Sequence, residues 1–488
     1  GHERPATGTT APPPPSGHWS MMNNHRERTL ISARRTEPSP AGSATHPALA
    51  CPGCGSRIRP AAAPKPGPGG LYGSLACECA RYPMIAGIPI ISSRLGPHAP
   101  LPVRRLCRLV AAGEFGRALT TAAEASITRP LRGFRKILRG SLAGVLSGRD
   151  RRRLSDGGEW LAQPAVNLLK IRFPSRARVD REIQTYFVYR PAHAEHVAAM
   201  GLAYSILPGD APILDLGAGA GHMAAHLLAR GIPVCGVDRD FFLLLVASHS
   251  VAPGAAFVCC DLEDGLPFAD ESLGGVISVN TVHFLRNKAL LAASLERVLR
   301  DGAPVLICAL RHSADPGAFR NFSLPPQGYA RVFQAFEPRF YATDTVVDWY
   351  RRGEAPGDAD TRAPEKLVTA PFIEMSGQKG FRPLLVEQAF SGWPHASGDL
   401  GINPLYQPAP GGQTGDKVSF DLTLPTEAYA RESRHLLDSM CPHVDIPHAV
   451  IEAIRSGKRI PAMAPLIESL ALIDLPAGYG PVDLPDPA

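Results

Sequence analysis

Short apolar runs alternate with amphipathic stretches of helical length between Pro212 and Leu310, and that alternation leaves few folds open. Pro212–Leu216, Pro233–Val237, Ala256–Cys259, Gly275–Val279 and Pro304–Leu310 read as strands, with Gly221–Arg230, Phe241–Ser248 and Lys288–Arg300 as helices between them. A strand that returns through a helix lies parallel to its predecessor, so the expected fold is an α/β sheet with helices on both faces. From 311 to 364 the pattern lapses into a Pro- and aromatic-rich insertion. It then returns as a helix over Glu365–Gln378 and strands over Leu384–Phe390 and Val418–Leu424.

The rest of the 488 residues divides by composition. Residues 1–48 lack periodic apolar positions and are expected to be disordered; 49–95 form a compact cysteine-bearing module. Residues 96–179 read as a basic helical linker, since 101–155 carries 13 Arg or Lys against 3 Asp or Glu. The sheet domain is expected over 180–425 with its insertion at 314–364, followed by an extension, 426–488, in which no chemistry is legible. No secretory apolar core precedes these segments, and the longest apolar run, Phe241–Ala247, is far below the roughly 20 residues that span a bilayer. Ten cysteines in a chain of this length fit reduced thiols, so a cytoplasmic protein without a membrane partner is expected.

The first strand leads into Asp215-Leu-Gly217-Ala-Gly219-Ala-Gly221, where glycines sit at a sharp strand-to-helix turn that lets a ligand approach the backbone. Any nucleotide-like ligand suits that geometry, including a dinucleotide. The second strand ends in Asp238, 23 residues after Asp215, where a carboxylate can hold a ribose diol. Asp261-Leu262 follows the third strand, where an acid accepts from an adenine amino group, and Asn280 ends the fourth at the same carboxyl edge.

This ordered set, completed by Leu266-Pro-Phe268, resembles the class I S-adenosylmethionine-dependent methyltransferases rather than dehydrogenases. The resemblance implies a Rossmann-like, seven-stranded sheet with S-adenosylmethionine as cofactor. It implies that Asp215 orients the methionine ammonium, that Gly217, Gly219 and Gly221 admit the cofactor to the backbone, that Asp238 holds the ribose, and that Asp261 and Leu262 flank the adenine. Asn280 would sit between cofactor and acceptor, with His283 as a proton acceptor when the nucleophile arrives protonated. Tyr186, Tyr189, Tyr341 and Trp349 are expected to line the acceptor pocket, ordinary core packing being the alternative for each. Asn403-Pro-Leu-Tyr406 is similar to the Asn-Pro-Pro-Tyr motif of amino-group DNA methyltransferases, but it follows the wrong strand and reads as a proline turn.

Cys51-x-x-Cys54 and Cys77-x-Cys79, 22 residues apart, are two knuckles able to bring four thiolates to one tetrahedral Zn2+. With Tyr82-Pro83 and Gly87-Ile-Pro89, the segment resembles the small zinc-ribbon activators of methyltransferases, departing from them in its Cys-x-Cys knuckle. A structural zinc is expected, since four thiolates leave no open position. The whole sequence therefore reads as methyl transfer to a small-molecule or biosynthetic acceptor. Two readings compete with it: an RNA base methyltransferase gripping RNA with the ribbon and basic linker, and a non-catalytic scaffold on the same fold.

Overall fold

The computed structural model describes residues 46–92, 94–95, 99–100, 103–127, 148–156, 161, 188–207, 211–313, 322–354, 360–370, 372–380 and 400–475. The expected disorder of 1–45, the strand over Leu384–Phe390 and Tyr186 all lie outside those residues.

Seven strands make the central sheet: β1 (Ile213–Leu216), β2 (Val234–Asp238), β3 (Ala256–Cys259), β4 (Gly275–Val279), β5 (Pro304–Leu310), β6 (Arg339–Ala342) and β7 (Ile373–Gln378). Their order is β3-β2-β1-β4-β5-β7-β6, and only β7 runs antiparallel to its neighbours. The order reverses between β1 and β4, which is where open α/β sheets bind ligands. Successive residues feed opposite faces. Ile213, Ile277 and Leu306 join one apolar core, and Leu214, Val276 and Val305 the other, which explains why the strands read as continuous apolar runs. Each fully buried Leu, Ile or Val contributes about 1.5–3 kcal/mol of transfer free energy.

The helices are α1 (Ala194–Ile206), α2 (His222–Ala229), α3 (Phe241–Val246), α4 (Lys288–Val298) and α5 (Thr343–Arg352). Helix α1 ends shortly before β1 begins at the amino edge, so it runs antiparallel to β1 and its own N-terminus lies at the carboxyl edge. Asp240 caps α3 by accepting from Leu243 N at 3.1 Å, and Asn287 caps α4 by accepting from Leu290 N at 3.0 Å. No helix among the described residues is long and apolar enough to cross a membrane.

Three expectations are corrected. Residues 365–378 are not a helix: a short 3-10 turn (Pro364–Leu367) gives way to β7. The period-two signal was hidden because Glu374 and Ser376 are buried polar residues, paired with Ala309 N and the Tyr341 hydroxyl. The stretch read as an irregular insertion contains a helix (Pro326–Val332), strand β6 of the sheet itself and α5. Residues 417–422 do form a strand, but in a separate three-stranded sheet with Tyr406–Thr414 and His443–Pro447. The C-terminal part is tied to the sheet domain by Asp474, whose N donates to Tyr350 Oη at 2.9 Å and whose carboxylate meets Arg230 at 3.4 Å.

The N-terminal module is a hairpin of Gly70–Ala76 and Arg81–Ile85 that docks on the outer side of β3. Ile90 bridges Cys259 in parallel register, and Ile91 N donates to Cys259 O at 2.8 Å, so a single bridge joins the module to the open edge of the sheet. Leu49 makes an antiparallel bridge to Phe268, beyond the end of β3. Cys51, Ile58, Leu75, Met84 and Ile91 share one core with Cys235, Val258 and Phe268. Beside it, the helix Val103–Ala111 packs on Arg81–Ile85 and the helix Phe115–Ile127 on α3.

Candidate functional site

The carboxyl ends of β1, β2, β3 and β4 bring the sequence-derived residues together. At the tip of β1 the backbone turns through Gly217, at φ 79°, and Gly221, at φ 80°. A Cβ on Gly217 would lie 2.3 Å from Thr281 Oγ1, so only glycine fits between this turn and the segment after β4. Asp215 is buried, and its Oδ2 accepts from Ala224 N at 3.2 Å in the first turns of α2. Burial pushes its carboxyl up to about 7, and the nearby charge of Asp238 adds to that rise.

Asp238 braces the loop. Its Oδ2 accepts from Gly219 N at 3.0 Å and its Oδ1 from Asp240 N at 2.8 Å, leaving lone pairs on both oxygens for a diol. Burial, reinforced by Asp240, raises its carboxyl to about 6. Asp261 accepts from Glu263 N at 3.1 Å and caps the 3-10 turn that begins with the buried Leu262. These residues set three carboxylates along the carboxyl edge of the sheet, next to the glycine turn.

Asn280 adopts φ 55°, a left-handed conformation costly for a residue with a side chain. Its N donates to Cys308 O at 3.0 Å, while its Oδ1 is buried without a hydrogen-bond partner. One strand over, Ala309 stands at φ 54°, where the β5–β7 register shifts. Glu374 fills that irregularity, accepting from Ala309 N at 2.9 Å and Thr343 Oγ1 at 2.7 Å. Burial lifts its carboxyl to about 7.

His283 lies in the 3-10 turn Val282–Phe284, fully enclosed, with neither ring nitrogen hydrogen-bonded. Burial, with Arg311 and Lys288 nearby, lowers its imidazole to about 3. Tyr341 and Trp349 meet edge to face at 5.1 Å inside the core, and the Tyr341 hydroxyl shares a 3.2 Å contact with Ser376. Both are occupied in packing. Tyr189 is half-buried, and its ring meets that of Tyr429 edge-on at 6.3 Å.

Sequence reasoning missed the residues around Tyr189. His193 and Glu195, at the start of α1, and Tyr429, from the C-terminal part, are all buried there. The available signal was His193-x-Glu195-His196 directly after Pro191 at a helix start. Asn403, by contrast, is spent locally: its Oδ1 accepts from Leu405 N and its Nδ2 donates to Leu470 O, both at 2.9 Å.

The four thiols converge as their spacing predicts. All Sγ atoms lie within 4.8 Å of one another, with Cys51 to Cys79 at 3.6 Å and Cys77 to Cys79 at 3.7 Å. Zn–S bonds of about 2.3 Å imply tetrahedron edges of about 3.8 Å, so the set has the dimensions of a zinc site.

Residues 214–307 match the family described as a methyltransferase domain. That match runs from β1 into β5 of the sheet. An uncharacterized methyltransferase of Mycobacterium leprae is 27% identical over 150 residues, 30% of this chain and 55% of that protein. The uncharacterized methyltransferase YodH of Bacillus subtilis is 29% identical over 182 residues, covering 36% of this chain and 73% of its own length. Phosphoethanolamine N-methyltransferase 2 of Haemonchus contortus overlays with a TM-score of 0.33 at 14% identity, covering 45% of this chain and 61% of that one. The chain thus spans about half the length of the first relative named, and the overlay is too loose to bear on the site.

Proposed function

We propose that this chain is a cytoplasmic enzyme that transfers the methyl group of S-adenosylmethionine to a small-molecule acceptor. The observation that carries the reading is the double duty of Asp238, which holds the glycine loop through Gly219 N and keeps acceptor capacity for a diol. S-adenosylmethionine fits this edge: Asp215 meets its ammonium, Asp238 its ribose, Asp261 and Leu262 its adenine. The cofactor supplies an electrophilic methyl on a sulfonium, and the protein's part is to hold the acceptor in line and keep water out. Asn280, strained and with an unpaired buried oxygen, stands where that alignment is made.

The N-terminal cysteines are proposed to hold one structural Zn2+, through Cys51, Cys54, Cys77 and Cys79. Titration calorimetry with S-adenosylmethionine tests the cofactor assignment: Asp238→Ala and Asp261→Ala should each weaken binding at least tenfold. Unchanged affinity in both would refute it. Methylation of bulk RNA with steep salt dependence would instead favour an RNA acceptor.

A further inference from the structure

A second polar cluster sits at the N-terminus of α1, and nothing described so far uses it. His193 Nδ1 faces Glu195 Oε2 at 3.5 Å, and both side chains are more than nine-tenths buried. The contact is longer than a hydrogen bond, as catalytic pairs often are before substrate arrives. Around it stand Arg190 from the preceding turn, His196 from the same helix and Tyr429 from the helix Glu427–Glu432. The His193 ring lies 4.2 Å from that of Tyr429. His196 Nε2, Glu195 Oε2 and Tyr429 Oη are buried without hydrogen-bond partners.

Several buried polar atoms left unpaired in one place cost roughly 1–3 kcal/mol each, a cost that a bound polar molecule removes. The cluster adjoins the carboxyl edge of the sheet on two sides. The His196 ring meets that of His222, the residue after Gly221, edge-on at 6.5 Å. Glu195 lies close enough to Glu374, at the carboxyl edge, for its charge to raise that carboxyl further.

We infer that His193 and Glu195 form the general-base pair of this enzyme, acting on an aromatic hydroxyl acceptor, a phenol or catechol. The inference rests on the methyltransferase reading above and adds the acceptor class to it. Burial pushes the Glu195 carboxyl up, but His193 and Arg190 outweigh it and hold it at about 2, so it is ionised at neutral pH. Once the pair closes to hydrogen-bond distance, the ionised Glu195 accepts from Nδ1–H and leaves Nε2 as the base. As Nε2 takes the hydroxyl proton, the oxygen's electron pair forms the new C–O bond. The S–CH3 bond breaks with its pair left on sulfur, giving neutral S-adenosylhomocysteine, and the imidazolium, steadied by Glu195, later releases its proton to water. The half-buried Tyr189 beside Tyr429 offers a face for a flat ring to pack on, and the unpaired His196 Nε2 suits a second polar substituent on it.

His283 is worse placed for this role, because it is enclosed, has no carboxylate partner and faces two cations.

The test uses the full chain with S-adenosylmethionine and 4-nitrocatechol as probe acceptor, whose visible absorbance reports its ionisation. Wild type should ionise the bound probe and methylate it with a falling rate at low pH. His193→Gln should lose at least 100-fold in kcat with KM changed less than threefold, bind the probe un-ionised and lose the acid limb of the pH profile. Glu195→Gln should show a smaller loss in kcat. Calorimetric affinity for S-adenosylmethionine, unchanged in both variants, certifies their folding. If His193→Gln keeps its rate and acid limb, or if wild type binds the cofactor yet neither ionises nor methylates the probe, the pair is not the base. If wild type binds no cofactor, the methyltransferase reading itself fails.

Discussion

Asp238 Oδ2 accepts from Gly219 N at 3.0 Å, so the carboxylate that ends β2 clamps the loop that leaves β1. Two successive strands thereby become one binding edge. Removing the clamp should have two separable effects. Asp238→Ala is expected to lower cofactor affinity at least tenfold and to cost about 1–3 kcal/mol of stability through the lost hydrogen bonds. Asp238→Asn, which keeps one acceptor oxygen, should recover part of the stability and little of the affinity. Calorimetry and urea melts on both variants separate the two effects.

If Asp215 meets the cofactor's ammonium as proposed, binding should be pH-dependent. The carboxyl's folded value, about 7, lies above its unfolded one, so it favours the folded state at low pH and that contribution fades as pH rises from about 4 through about 7. An ammonium group needs the ionised form. Below pH 7, S-adenosylmethionine should therefore expel a proton from Asp215 and bind more tightly as pH rises toward 8. Calorimetry in buffers of different ionisation enthalpy measures the released proton, and Asp215→Asn should abolish it.

Gly217→Ala should destabilise the protein by about 1–3 kcal/mol, because the turn holds φ at 79° and the new methyl would meet Thr281. Gly217→Ala with Thr281→Ala should recover the steric share and leave the backbone share. Thermal melts of the single and double variants read the difference directly.

The thiol cluster predicts one zinc per chain. Elemental analysis should find it, and Cys51→Ser or Cys77→Ser should abolish it. A chelator should lower the melting temperature of the whole chain in one transition, because Cys51 packs in the same core as Val258 and Phe268. A separate early transition confined to the N-terminal module would contradict that shared core.

How much was legible beforehand follows from where polar residues sit. The first five strands announce themselves because both faces of the sheet are buried and each strand reads as a solid apolar run. Strand β7 did not, because Glu374 and Ser376 interrupt its apolar pattern while making internal hydrogen bonds that sequence cannot display. Strand β6 was lost in its aromatic surroundings, its Tyr341 looking like a pocket residue. The glycine loop and the acids ending β2 and β3 were visible because strand-end position alone dictates their edge. His193, Glu195 and Tyr429 were not, since their meeting depends on how the C-terminal part folds back over the start of α1.

The bridge that Ile90 and Ile91 make to β3 has a consequence for handling the protein. Left bare, the backbone amides and carbonyls of β3 would offer a template for any extended chain, the common origin of edge-to-edge aggregation. A version trimmed to begin at α1, although it keeps the methyltransferase-domain match, should form insoluble oligomers when expressed. If it does, the module guards solubility in cis.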